Sequence, residues 1–107
     1  MKTFRTLELS VQFYEMVEAE NIKGHLRDQL LRASSSISLN LSEGNAKRTT
    51  AEKKRFYQIA YASAQECKTI LQLAKAEGEI RDLADKLNAW IYNLLKSEIT
   101  VRNFGET

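Results

Sequence analysis

Residues 26–44, LRDQLLRASSSISLNLSEG, carry the clearest helical pattern of the chain. Apolar side chains recur there every three or four residues, at Leu26, Leu30, Ala33, Ile37 and Leu41. This spacing places them on one face of an α-helix. We therefore predict a helix over residues 24–43 that ends at Gly44, because glycine adopts the left-handed conformation at a helix terminus without a steric penalty.

The same periodicity continues on both sides of this stretch and predicts three more helices, over residues 4–20, 50–77 and 79–100. Thr49 is followed three residues later by Glu52, a spacing typical of a capping box at the start of a helix. Four amphipathic helices with short connections favour an all-α fold, an antiparallel up-down-up-down four-helix bundle. The length of 107 residues suits one domain, residues 1–107.

The composition excludes several other classes of protein. The chain has no proline and four glycines, which argues against β-sandwiches and proline-rich linkers. No apolar run approaches the roughly 20 residues of a membrane span, and no targeting segment is visible, so we expect a cytoplasmic protein without membrane contact. One cysteine, Cys67, and one histidine, His25, cannot build an ordinary metal cluster. We expect no metal and no cofactor, with Cys67 in the core and His25 at the surface.

Positive charge is concentrated in the middle of the chain, although the net charge is only +2. Residues 23–58 hold eight basic and three acidic residues, or +5, so the rest of the chain carries −3. Five of these basic residues lie around the predicted start of the third helix: Lys47, Arg48, Lys53, Lys54 and Arg55. We name them the basic run, and they suit phosphate groups. The alternative is an ordinary solvated face.

Tyr57 and Tyr61, one turn apart beyond the basic run, are candidates for stacking against bases. A second set of polar residues, Arg32, Asn40, Glu43 and Glu66, lies on or beside helical core seams. We interpret it as a structural polar network in which Glu66 is within reach of Arg32 or Glu43, and in which a buried Arg–Glu pair would help to fix the helix register. A catalytic carboxylate pair is the alternative, but no nucleophile–base pair accompanies it, and we predict that the chain is not an enzyme.

Serines crowd the second helix at Ser34, Ser35, Ser36 and Ser38. No G-x-S-x-G elbow accompanies them, so a nucleophile is disfavoured. We interpret them as a strip of small residues that allows close approach of the third helix at Ala60, Ser63 and Ala64.

Residues 29–44 resemble the signature of the four-helix-bundle proteins encoded in ribosomal-RNA (23S) intervening sequences, approximately Q-x-x-R-A-x-x-S-I-P-x-N-I-A-E-G. The matching residues are Gln29, Arg32, Ala33, Ser36, Ile37, Asn40, Glu43 and Gly44. A second family pattern, F-x-x-x-A-x-G-S-x-x-E, is matched by Phe56, Ala60, Ser63 and Glu66, with Ala62 in place of the glycine. Ser38 stands where the family has proline, so we predict a straighter second helix.

The resemblance implies a homopentameric ring of antiparallel four-helix bundles, without catalytic residues to transfer. It also brings in a related fold, the accessory variability proteins of diversity-generating retroelements, which bind RNA and partner with a reverse transcriptase. We therefore expect a non-enzymatic, oligomeric protein that binds RNA or structured DNA through its backbone, or serves as a scaffold. The alternative is a protein–protein interaction module, such as a reverse-transcriptase accessory protein.

Overall fold

The computed structural model describes the backbone of residues 2–106 and the side chains of residues 3–97. Four helices follow one another: α1 (Lys2–Ala19), α2 (Gly24–Ala46), α3 (Thr50–Leu73) and α4 (Glu79–Glu106). No strand occurs within residues 2–106. The predicted all-α, four-helix fold is confirmed, and every helix begins within two residues of its predicted start.

The helices form a closed square in which each packs against two neighbours. The packed pairs are α1–α2, α2–α3, α3–α4 and α1–α4, and the diagonal pairs make no close backbone contact. The connections span only three to five residues, so successive helices run antiparallel. The bundle measures 50 × 20 × 20 Å. One end therefore holds the start of α1, the α2–α3 connection and the last part of α4.

The core is built from the predicted apolar stripes, because each helix turns one face toward the bundle axis. Its largest fully buried side chains are Tyr57, Phe13, Leu30, Ile37, Leu41, Leu71, Ile80, Leu87 and Ile91. Ser36 accepts a hydrogen bond from the Ser63 hydroxyl at 2.9 Å, which joins α2 to α3. The small-residue strip of α2 thus meets Ser63 as expected.

α2 is longer than predicted, and Gly44 does not end it. The helix continues to Ala46, and the left-handed glycines of the described chain are Gly24 and Gly78. A Cβ added at Gly44 would lie 2.6 Å from Cε1 of Tyr57, so the glycine makes room for that ring inside the helix. The sequence pattern alone does not distinguish a terminating glycine from one required by close packing.

α3 is shorter than predicted, ending at Leu73 instead of residue 77. Lys75 takes the left-handed conformation, with φ 57°. Its amide donates to Gln72 O at 3.1 Å and the Ala76 amide donates to Leu71 O at 3.0 Å, the two bonds of a Schellman motif. The end was missed because a lysine occupies the position where glycine is usual.

α2 runs without interruption through Ser38. The Ser38 and Ser10 hydroxyl oxygens are 2.8 Å apart. Ser10 gives its own proton to Leu7 O at 2.6 Å, so Ser38 donates to Ser10. The residue that replaces the family proline therefore ties α2 to α1.

Candidate nucleic-acid interface

The basic run lies at one end of the bundle, around the connection between α2 and α3. Thr49 caps α3: its hydroxyl oxygen accepts from the Glu52 amide at 3.2 Å and donates to Glu52 Oε1 at 2.8 Å. The predicted cap is present. The Glu52 carboxylate contacts the Thr49 side-chain hydroxyl, whereas in a capping box it accepts from the backbone amide of the cap residue. Because the Thr49 hydroxyl already accepts from the Glu52 amide, that amide of the helix start is not available to an anion.

Lys53 has a structural role within the basic run. Its ammonium donates to Asn45 O at 3.2 Å and to Gly44 O at 3.4 Å, in the last turn of α2. Carbonyls in the last turn of a helix lack the usual i+4 partners and carry partial negative charge, so a cation stabilises them; Gly44 O also accepts from the Lys47 amide at 3.1 Å. A cation at the start of α3 is unfavourable for the dipole of α3 itself. The Lys53 ammonium instead stabilises the negative end of the α2 dipole.

The same arrangement recurs at the other two connections. Arg27, in the first turn of α2, donates to Glu20 O and Glu18 O at the end of α1, each at 3.2 Å. Arg81, in the first turn of α4, donates to Ala76 O at 3.1 Å. A basic residue soon after each helix start therefore caps the segment that precedes it. Sequence reasoning missed this role, although the recurrence of the residue type was visible.

Lys47 is also engaged within the protein. Its ammonium lies 3.6 Å from Glu43 Oε2 and 5.2 Å from the centre of the Phe56 ring. Both contacts hold a positive charge, one through an opposite charge and the other through the negative ring face. Lys47 therefore offers less free charge to a ligand than its sequence position suggests.

Arg48, Lys54 and Arg55 complete the run, and they make no ion pair or hydrogen bond with any side chain or backbone group that the structure describes. Arg48 and Arg55 are exposed and Lys54 is half-buried. Of the five predicted residues, these three combine access to solvent with uncompensated charge.

The predicted stacking role of Tyr57 is wrong. Its side chain is 1 % exposed, and its hydroxyl lies 3.2 Å from Thr3 Oγ1 of α1. Tyr61 is half-buried with its ring centre 6.0 Å from that of Tyr92. The helical stripe that places Tyr57 near the basic run also turns it into the core. Base stacking by Tyr57 is thereby excluded.

The predicted polar network divides into three separate contacts. Arg32 pairs with Glu66 across α2 and α3, but both side chains are open to water, 60 % and 39 % exposed, so the pair is not the buried one expected. The Asn40 amide donates to Ser36 O at 2.8 Å and Ser36 Oγ at 3.1 Å. Glu43 faces Lys47 instead of Glu66.

The remaining candidate residues are Cys67 and His25. Cys67 is 1 % exposed, and burial, with a smaller effect of the Glu66 charge and opposition from Arg32, raises the pKa of its thiol to about 12. His25 is exposed. The described side chains contain no group of three or more His, Cys, Asp or Glu arranged to hold a metal ion. None of the helices in the described part is both long and apolar enough to cross a membrane.

The four helices and their packing define an all-α, antiparallel four-helix-bundle protein, with the basic run around its α2–α3 connection. The chain belongs to the 23S rRNA-intervening sequence protein family, whose model matches residues 4–99. Its fold is similar to the crystal structure of a protein of unknown function from the S23 ribosomal protein family of Bacteroides thetaiotaomicron. That similarity has a TM-score of 0.79 at 20 % identity, over 90 % of this chain and 99 % of the other. No curated protein matches the sequence.

Proposed function

We propose that this protein is a non-enzymatic nucleic-acid-binding protein that holds RNA by its phosphate backbone. The observation that carries the proposal is the group of uncompensated cations Arg48, Lys54 and Arg55 beside the α2–α3 connection. Phosphate contacts of this kind position a nucleic acid without reading its bases. The burial of Tyr57 further favours backbone contacts over base stacking.

The protein acts as a homo-oligomer, a pentamer on the family resemblance, so that weak phosphate contacts repeat around the assembly. Apolar surface supports association, since Phe4 is 57 % exposed and Tyr92 51 % exposed. Two further aromatic residues, Tyr14 and Trp90, are half-buried. Light scattering is expected to give an oligomer at micromolar concentration, and a monomer would contradict this part of the proposal.

Binding of a structured RNA hairpin at several salt concentrations tests the proposal. Replacing Arg48, Lys54 and Arg55 together by alanine is expected to weaken binding and to lower the slope of log K against log salt by about 2–3. A matched triple variant, Lys23→Ala with Lys75→Ala and Lys86→Ala at the opposite end, carries the same charge change. Equal losses in both variants, or none in the first, would contradict the assignment.

A protein–protein interaction module is the second candidate, and one surface favours it. Ser36 meets Ser63 across α2 and α3. Three residues further along α2 and four residues back along α3 lie Leu39 and Ile59, which are 66 % and 40 % exposed on the same side of the helix pair. Partners that survive nuclease digestion and are lost in Leu39→Ser would favour this function over RNA binding.

A further inference from the structure

We infer that the phosphate-binding surface extends beyond the basic run to the whole end of the bundle, with Arg5 of α1 and Lys96 of α4 as further binding residues. The inference rests on the proposed function and names additional contacts for the same ligand. Neither residue lies near the basic run in sequence, so only the packing of the helices brings them to it.

Two contacts place these residues at the same end as the basic run. Thr3 Oγ1 lies 3.2 Å from the Tyr57 hydroxyl, so the first turn of α1 is level with the second turn of α3, which also holds Lys54 and Arg55, and Arg5 is exposed there. The Tyr61 and Tyr92 rings lie 6.0 Å apart. Because α3 and α4 are antiparallel, four residues back along α3 and four forward along α4 bring Tyr57 level with Lys96, which is also exposed.

The two ends of the bundle carry opposite net charge. At the basic end, residues 3–10, 40–58 and 95–97 hold seven basic and three acidic side chains, or +4. At the opposite end, residues 15–28 and 72–86 hold five basic and eight acidic side chains, or −3. The antiparallel order of the helices produces this separation, because it places the basic stretches at one end of the bundle and the acidic stretches at the other. The net charge of the whole chain is only +2.

This polarity predicts how a polyanion approaches. The basic end attracts phosphates and the acidic end repels them, so the protein meets the nucleic acid end-on. The bundle is 50 Å long and 20 Å across, and the charges at its end therefore act together on a short segment of backbone. Arg5, like Arg48 and Arg55, has no partner among the described residues, which leaves its charge available.

The test uses the full chain and an RNA duplex of about 20 base pairs as the probe, longer than the roughly 16 base pairs that a double-stranded-RNA module spans. Arg5→Gln with Lys96→Gln is compared with Lys23→Gln plus Lys75→Gln, which removes the same charge from the acidic end. The first variant is expected to bind at least about tenfold more weakly at 0.1 M salt and to lower the salt slope by about 2, since each phosphate contact contributes close to 1. The second is expected to bind nearly as well as the parent protein, because the charges it removes lie far from the bound phosphates.

The outcomes separate this inference from the proposed function. Full binding by the Arg5/Lys96 variant, with loss in the Arg48/Lys54/Arg55 variant, overturns the extended surface and leaves the proposed function intact. Absence of salt-dependent binding in the parent protein overturns both. Equal weakening by the two glutamine variants also overturns the inference, because net charge alone would then explain the effect. Circular dichroism of each variant verifies that the fold is retained.

Discussion

The ammonium of Lys53 lies 3.2 Å from the carbonyl oxygen of Asn45 and thereby joins the first turn of α3 to the last turn of α2. Lys53 belongs to the basic run that the sequence suggested for ligand binding. Its contact instead stabilises the end of α2. Together with Arg27 and Arg81, it shows that cations soon after a helix start compensate the segment before it.

Lys53→Met is expected to lower the free energy of unfolding by about 0.5–1 kcal/mol, because the helix end loses a cationic donor. Lys54→Met, the adjacent residue without such a contact, is expected to change it by less than about 0.5 kcal/mol. Thermal unfolding at one fixed protein concentration measures both. Equal effects of the two substitutions would remove the capping role from Lys53.

Gly44→Ala is expected to destabilise the protein by about 1–3 kcal/mol, although alanine normally improves a helix interior by about 1 kcal/mol. The new Cβ would lie 2.6 Å from Cε1 and 2.9 Å from Cδ1 of the buried Tyr57 ring. The control is the same substitution in a Tyr57→Leu background, where the ring is gone and the cost is expected to fall. Urea unfolding of the four proteins gives the coupling, and an unchanged cost in both backgrounds would exclude this clash.

Lys75→Gly is expected to stabilise the protein by about 1 kcal/mol, since Lys75 has φ 57° and only glycine adopts that conformation without strain. Lys75→Ala removes the same side chain but keeps the Cβ, so it separates the backbone effect from any loss of charge. Chemical denaturation measures the three proteins. A glycine variant no more stable than the alanine variant would show that the conformation stores no strain.

Asn88→Leu is expected to raise the free energy of unfolding by about 1–2 kcal/mol. Asn88 is 8 % exposed, and its Nδ2 has no hydrogen-bond partner among the described residues. A buried N–H donor without a partner loses its hydrogen bonds to water and gains none in the protein, which costs free energy. Leucine is similar in size and has no such donor. Asn88→Asp, which would bury a charge at the same place, is expected to destabilise. A less stable leucine variant would show that the amide is satisfied in solution.

Cys67 is expected to make stability fall as the pH rises above about 9. Burial raises the pKa of its thiol from 9.0 to about 12, so between these values the native state keeps a proton that the unfolded state has lost. The contribution of the protonated Cys67 thiol to stability is fully present below the unfolded-state pKa. Above that pKa, the free energy of unfolding decreases by up to about 1.4 kcal/mol per pH unit. Urea unfolding from pH about 8 to about 10.5 is expected to show an extra loss relative to Cys67→Ala. Parallel curves would contradict the shift.

The number of helices, their order and their starts follow from the sequence. The apolar period and the Thr49–Glu52 cap are local features, and local hydrogen bonds and sterics decide them. The ends of the helices could be predicted less well. Gly44, which was expected to end α2, lies inside that helix, and Lys75 takes the left-handed conformation that follows the end of α3. The start of α3 falls within the basic run, as predicted, but the sequence did not show which of its side chains contact the protein and which face solvent.

The sequence by itself determined that this chain forms four amphipathic helices with positive charge around the start of the third, because periodicity, capping and composition act over one or two helical turns. Only the tertiary structure decided what each residue faces. Lys53 meets Asn45, Gly44 accommodates the ring of Tyr57, and Arg5 comes to the same end as Arg48, since antiparallel packing places distant turns at one level. The charge of Lys53 is compensated through that packing, whereas the charge of Lys47 is compensated by Glu43, one helical turn earlier in the chain.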